Sequence, residues 1–300
     1  MPSVSYVYPN VAELNLRGRG GLLERWQTKE LECDYIEVPA DFIKNTTEIK
    51  MIKDKMPEEK LDLCDVLKRE YIDIIYKQDL NVPKEVKYVL HTETSHQRKG
   101  NHRPKAKLRW NRETWREEFV GMVISISNFF NNMPAAIIEI HPGDKENKSD
   151  DILKSIELLL GKYSKKFRVE PLVLLENMIG QSIQSGKEIQ DFWDCLLNGH
   201  PHLQSKVGIV LDVSQLYKSV GKKNFMEELD MIPPEALKGF HIHYFEHKPP
   251  NINQEIPWEQ VFERIRNIRK NNSIIINPEV NHKNDVEKTL AFCKKLLSAG

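Results

Sequence analysis

The sequence predicts an α/β fold, a (β/α)8 barrel forming a single domain over residues 1–300. Three observations predict it. Short apolar runs alternate with longer amphipathic ones, the pattern of βα units around a parallel sheet. Eight such runs fit into the 300 residues without an evident linker, and eight βα units closing on themselves make a barrel. No G-x-G-x-x-G follows the first run, which argues against an open doubly wound sheet.

The first strand is Val4 to Tyr8, closed by Pro9. A Gly/Arg-rich turn, Arg17 to Gly21, follows and leads into a short helix, Leu22 to Lys29. That turn can hold a phosphate or serve as a plain loop, and it lacks P-loop spacing. Asp34 to Val38 is the second strand, ended by Pro39. Glu58 to Lys77 carries Leu61, Cys64, Leu67 and Tyr71 at helical spacing. Lys87 to His91 is the third strand, and a polar loop runs from Ser95 to Trp110. Arg112 to Asn131 is a helix with Phe119, Met122 and Ile126 on one stripe.

Ala135 to His141 is the fourth strand, stopped by Pro142 and Gly143. Ser149 or Asp150 can cap the next helix, which runs to Lys165. Pro171 to Glu176 is the fifth strand and Gly186 to Leu197 the helix after it. Val207 to Asp212 is the sixth strand, with helix around Phe225 to Met231. Gly239 to Tyr244 is the seventh strand, followed by helix Trp258 to Asn271. Ser273 to Glu279 is the eighth, and Asn284 or Asp285 caps a last helix ending near Ala299.

Composition narrows the function. The chain is 40% hydrophobic and 29% charged, with 44 basic and 44 acidic residues. A general nucleic-acid coat protein would be basic overall, so that class is excluded. A local basic patch is not: Arg98, Lys99, Arg103, Lys105, Lys107 and Arg109 crowd the loop before Trp110, and basic residues interleaved with an aromatic suit a polyanion. Cys33, Cys64, Cys195 and Cys293 form no C-x-x-C pair, which excludes a zinc ribbon and a thioredoxin-type motif. They read as reduced thiols of an intracellular protein. No signal-peptide layout and no membrane-length apolar run is present, so no membrane partner is expected.

The strand ends carry the chemistry. The last six strands end in His91, His141, Glu176, Asp212, His241 or His243, and Glu279. A barrel gathers its C-terminal strand ends at one mouth. Buried charges there are costly unless they are paired or bound to a metal. Imidazoles and carboxylates in this mixture suit a divalent cation, zinc first and manganese second. By alternation, Glu139 shares a face with His141, and Asn277 with Glu279. His241, His243 and His247 share a parity, so more than one can face inward. His200, His202 and His282 fall in loops or turns and are expected to be solvated.

These residues resemble the xylose isomerase-like barrel superfamily and, within it, the endonuclease IV family. E-N-M-I-G-Q at Glu176 to Gln181 is similar to that family's E-N-T-A-G-Q. H-P-G at His141, V-G-I-V-L-D at Val207 and G-F-H-I at Gly239 are similar to its other strand ends. The resemblance implies one metal on His91, His141 and Glu176, and a second on Glu176, Asp212, His241 and Glu279, bridged by Glu176. It departs in two places. Gln215 stands where the family has a histidine, and only Glu246 and His247 lie near its later D-x-H, so the ligands for the third metal that the resemblance implies would come from His243, Glu246 and His247.

Two activities follow as expectations. One is a dinuclear phosphodiesterase or nuclease acting on DNA, with abasic sites as its target, Glu176 orienting the attacking water and the basic loop holding the backbone. The alternative is a sugar isomerase or epimerase with a single cation on Glu176, Asp212, His241 and Glu279. There Glu176 and Glu279 would act as proton-transfer groups. A barrel retained as a binding scaffold is a third class, and the retained ligands argue against it.

Overall fold

The structure is a computed structural model that describes residues 2–11, 32–40, 85–92, 108–130 and 132–299. Eight strands form a closed barrel in chain order: β1 (Val4–Tyr8), β2 (Tyr35–Pro39), β3 (Tyr88–His91), β4 (Ile137–Ile140), β5 (Leu172–Glu176), β6 (Val207–Asp212), β7 (Leu237–His241) and β8 (Ile274–Asn277). All neighbours are parallel, and β8 closes on β1 through Val4, Ser5 and Tyr6 opposite Ile274, Ile275 and Ile276. Six described helices alternate with the later strands: α1 (Glu113–Phe129), α2 (Ser149–Phe167), α3 (Gly186–Gly199), α4 (Val213–Met231), α5 (Trp258–Arg269) and α6 (Lys283–Ser298). The (β/α)8 expectation therefore holds. The expected Arg17–Gly21 turn and the helices Leu22–Lys29 and Glu58–Lys77 lie outside the described residues.

Strand alternation sorts the apolar side chains into two cores. Outward-facing Ile36, Leu90, Ile138, Val173, Leu175, Ile209 and Leu211 pack with the buried faces of the helices. Inward-facing Val7, Val89, Ile137, Leu174 and Val210 form a separate plug inside the barrel, with Tyr35 and Ile275 against it. Filling the interior to the height of these residues leaves room above them for polar side chains to converge at the C-terminal mouth.

Boundaries differ from expectation where the chain leaves the sheet. β4, β7 and β8 stop at Ile140, His241 and Asn277, so His141, His243 and Glu279 stand just beyond the ladder. The helix expected around Phe225 begins at Val213, immediately after β6. Asp212 caps it, its Oδ1 accepting from the Gln215 N–H at 2.9 Å. A break at Gly221 (φ 74°, ψ 161°) divides that helix and hides its first half from a periodicity reading. α2 follows Lys148 and α6 follows His282, one to three residues ahead of the expected caps.

Candidate metal centre

The strands build the site in two tiers. Two residues beyond the apolar plug, each strand from β2 to β8 turns a polar side chain inward: Glu37, His91, Glu139, Glu176, Asp212, His241 and Asn277. Two residues further, His141, His243 and Glu279 form an upper tier. The parity is that of a strand with one face inward. Nearly all of it is dry: Glu37, Glu139, Glu176, Asp212, His141, His241 and His243 are each at most 2% exposed.

The side chains crowd one another. His91 Nε2 lies 3.1 Å from His141 Nε2 and 3.1 Å from Glu176 Oε2. His241 Nδ1 stands 3.6 Å from Glu176 Oε1 and 3.2 Å from Glu279 Oε2. His243 Nε2 is 3.2 Å from Asp212 Oδ2 and 3.4 Å from Glu279 Oε2. One ligand atom from each of Glu176, Asp212, His241 and Glu279 falls within 4.8 Å of the others, and the same is true of His91, His141 and Glu176.

A second layer of bonds fixes these groups. Glu37 accepts from His91 Nδ1 at 2.7 Å through Oε1, while its Oε2 accepts from the Asn10 N–H (3.0 Å) and Asn277 Nδ2 (2.9 Å). Glu139 Oε2 lies 3.3 Å behind His241 Nε2. His91 and His241 are thus each backed by a carboxylate on one ring nitrogen and turn the other toward Glu176, the arrangement that orients metal-ligating histidines. Asn177 exchanges two bonds with the Asp212 backbone (2.8 and 3.1 Å) and sets the position of that acid. Gln181 Oε1 accepts from the Gly143 N–H at 2.6 Å, and the Ser182 N–H donates to Gly143 O at 2.8 Å. The H-P-G and E-N-x-x-G-Q segments are therefore bonded to each other, and Gln181 holds a loop rather than a ligand.

The electrostatics follow from this crowding. Burial disfavours the charged form of every group, yet the partners outweigh it. His91 is held well above the usual imidazole range by its contacts with Glu176 and Glu37. His241 is raised likewise by the charges of Glu176, Glu279 and Glu139. His243 is raised to about 9 by Asp212. Glu176 is held well below its usual range by His241 and His141, and Glu279 falls to about 2 through His241.

The donor set fits a divalent cation. Glu139 Oε2, Glu176 Oε2, Glu279 Oε2 and both ring nitrogens of His241 are buried and make no hydrogen bond. They nevertheless lie close to one another, with His91 Nε2 3.1 Å from Glu176 Oε2 and His241 nitrogens 3.2 and 3.3 Å from Glu279 Oε2 and Glu139 Oε2. A stable core would leave few such atoms unpaired, whereas ligands converging on an ion look like this. A cleft of about 280 Å³ opens above them, lined among others by Asn10, His91, Met178, Gln215, His247 and Asn281.

The sequence-predicted residues separate clearly. His91, His141, Glu176, Asp212, His241 and Glu279 come together, with His243 and His247 beside them. Glu246 does not join them: its carboxylate is 77% exposed and pairs with Lys248 at 2.7 Å. Arg98, Lys99, Arg103, Lys105 and Lys107 lie outside the described residues, and Arg109 is half-buried next to Trp110, whose indole N–H donates to His141 O at 2.9 Å. His200, expected to be solvated, is buried and paired with Asp150 at 3.0 Å. Glu37 is the member that sequence reasoning missed. Its signal was a single acid inside the apolar run Tyr35–Val38, directly before a proline.

The strands and the polar mouth define a (β/α)8 barrel with a candidate cation site at its C-terminal end. The chain is similar in fold to solved structures of low sequence identity. It superimposes on a D-tagatose 3-epimerase-like protein with a TM-score of 0.57 at 15% identity, covering 98% of this chain and 97% of that one. It matches a xylose isomerase-like TIM barrel protein from Mycobacterium smegmatis, in complex with magnesium, with a TM-score of 0.55 at 9% identity over 100% and 97% of the two chains. No protein-family model and no curated protein matches the sequence. No helix among the described residues is long and apolar enough to cross a membrane.

Proposed function

We propose that this protein is a divalent-cation-dependent isomerase or epimerase acting on a small sugar. The observation that carries the reading is the complete ligand set Glu176, Asp212, His241 and Glu279, delivered by β5 to β8 and gathered within 4.8 Å. The likeness in fold to a D-tagatose 3-epimerase-like protein and a xylose isomerase-like protein supports it, as does a cleft of about 280 Å³, the scale of a small ligand rather than a duplex.

Glu176, Asp212, His241 and Glu279 would hold the cation. When bound, it polarises a sugar carbonyl and hydroxyl as a Lewis acid and so acidifies the adjacent C–H. Glu279, partly open to the cleft, takes that proton on a carboxylate oxygen. The imidazole of His241 keeps it ionised, and so free to accept a proton, in the metal-free site. Glu176, which lies 3.6 Å from the same His241 Nδ1 that Glu279 meets at 3.2 Å, serves as the second proton-transfer group, held by His91 and His141. Asn10 and Gln215 line the cleft and offer hydrogen bonds to substrate hydroxyls.

The test is isomerisation in heavy water. Manganese-loaded protein incubated with ketoses should incorporate deuterium at the carbon next to the carbonyl, and Glu176→Gln should abolish the exchange. Absence of exchange across a panel of ketoses, with cleavage of abasic DNA by the same preparation, would overturn this reading.

One observation favours the DNA phosphodiesterase as a second reading. His91, His141 and Glu176 also lie within 4.8 Å of one another, so Glu176 could bridge two cations. Against it stands Gln215, whose amide replaces the imidazole the family pattern requires at that place. Zinc as the resident metal and DNA as the partner rest on this reading alone.

A further inference from the structure

We infer that Met178 sets the substrate preference of the cleft, and that the sugar it selects is a 6-deoxyketose, with a methyl group at the end away from its carbonyl. The inference rests on the isomerase or epimerase reading and names the substrate class within it.

Position along the chain carries the argument. Leu174 belongs to the plug inside the barrel, Glu176 stands among the cation ligands, and Met178 lines the cleft. The three share the inward parity of β5. At the tier where the chain leaving β4, β7 and β8 places His141, His243 and Glu279, the chain leaving β5 places a thioether. The motif that E-N-M-I-G-Q resembles carries a threonine at that place, so a polar wall has become an apolar one.

The surroundings leave Met178 to a ligand. Its backbone is held from both sides, the N–H donating to Ile183 O at 3.0 Å and the carbonyl accepting from the Gln181 N–H at 3.1 Å. Gln181 is itself bonded to Gly143. Met178 is half-buried and packs into neither apolar core. Among the described residues the cleft has one other apolar member, Val280, which is 2% exposed and belongs to the core under the helices. Asn10, Gln215, His247 and Asn281 supply hydrogen-bonding groups elsewhere in the lining.

Distance sets which end of the sugar Met178 meets. Two residues of strand-like chain, as from Glu176 to Met178, span about 7 Å. A sugar held by its carbonyl end at Glu176 and Glu279 reaches that far only with its last carbons. A hydroxyl delivered there gives up water and gains no good partner from a thioether. A methyl group gains contact with a soft, adaptable side chain.

Manganese-loaded wild type, Met178→Thr and Met178→Leu, each checked for fold by circular dichroism, test this with ketohexoses, each paired with its 6-deoxy counterpart. Deuterium exchange gives kcat/KM, and the rise in thermal midpoint with added sugar reports binding independently of rate. Wild type should favour the 6-deoxy member of an accepted pair by about tenfold or more, the scale of one group in an apolar pocket. Met178→Thr should erase that preference and Met178→Leu should keep it. Equal kcat/KM for the two members in wild type, or an undiminished preference in Met178→Thr, would overturn the inference and leave the isomerase reading standing. No exchange and no midpoint shift with either member of any pair would end both.

Discussion

Glu37 and His91 sit on neighbouring strands and meet at 2.7 Å, the tightest polar contact between side chains lining the barrel mouth. The carboxylate has no slack, because Asn10 and Asn277 occupy its other oxygen at 3.0 and 2.9 Å. Glu37→Gln would set an amide N–H₂ against one set of these donors. Leaving a buried donor unpaired costs roughly 1–3 kcal/mol. Since His91 bears on Glu176, cation affinity should also fall, by about 10–100-fold on the pattern of carboxylates behind metal-ligating histidines. Calorimetric titration with Mn²⁺ checks this, and wild-type affinity would reduce Glu37 to a purely structural acid.

Asn177 makes two bonds to the backbone of Asp212, at 2.8 and 3.1 Å. Asn177→Ala should lower stability by about 2–3 kcal/mol, the scale of two buried hydrogen bonds lost together. It should weaken cation binding as well, because Asp212 then loses the clamp that aims it. Urea denaturation with and without Mn²⁺ separates the two effects. A stability loss with no change in the cation-induced stabilisation would leave Asn177 outside the site.

Gly143 closes the H-P-G segment with φ of 74°, and a Cβ there would lie 2.3 Å from Asn147 Nδ2 and 3.0 Å from the Leu108 carbonyl. Gly143→Ala therefore combines backbone strain with a steric clash, at a cost on the order of 1–3 kcal/mol. A lowered thermal midpoint is expected, together with a weakened hold on His141 two residues earlier. A midpoint equal to wild type would contradict the tight packing around this turn.

The histidines impose a pH dependence. His243 is raised from 6.5 to about 9, so its imidazolium pairing stabilises the metal-free fold fully below 6.5 and is lost as pH rises through about 9. Glu279 is lowered from 4.5 to about 2, so its contribution is present above 4.5 and is lost as pH falls toward about 2. The metal-free protein should accordingly be most stable between these windows. Cations must displace the imidazolium protons, so binding should release protons and strengthen from pH 6 toward about 9. Calorimetry in buffers of different ionisation enthalpy measures the proton count, and no proton release would contradict the assignment.

Much of this site was legible in the chain because strand ends are marked twice. An apolar run of β type gives the strand, and a lone His, Asp or Glu at its end is a costly residue to bury without a partner. That logic located His91, His141, Glu176, Asp212, His241 and Glu279. It failed for Glu37, whose strand was not compared with the others because no motif pointed to it. Glu246 was a candidate only through the family's D-x-H, and a left-handed turn sends its side chain outward to Lys248. Gln181 shows the opposite case: a residue noticed through its motif, whose bond is to Gly143 and not to an ion. The first half of α4 escaped because Gly221 breaks its period. The sugar reading remains a proposal, and the sequence already leaned toward it through Gln215, which stands where the family pattern has a histidine, and through the balance of 44 basic and 44 acidic residues.

The central claim is that Glu176, Asp212, His241 and Glu279 surround one cation. Anomalous diffraction from crystals soaked in Mn²⁺ tests it most directly. The account predicts a strong anomalous peak bounded by those four side chains, absent from Glu176→Gln crystals soaked in the same way. Soaked wild-type crystals showing no peak between them, with the carboxylates bonded instead to protonated imidazoles, would contradict it.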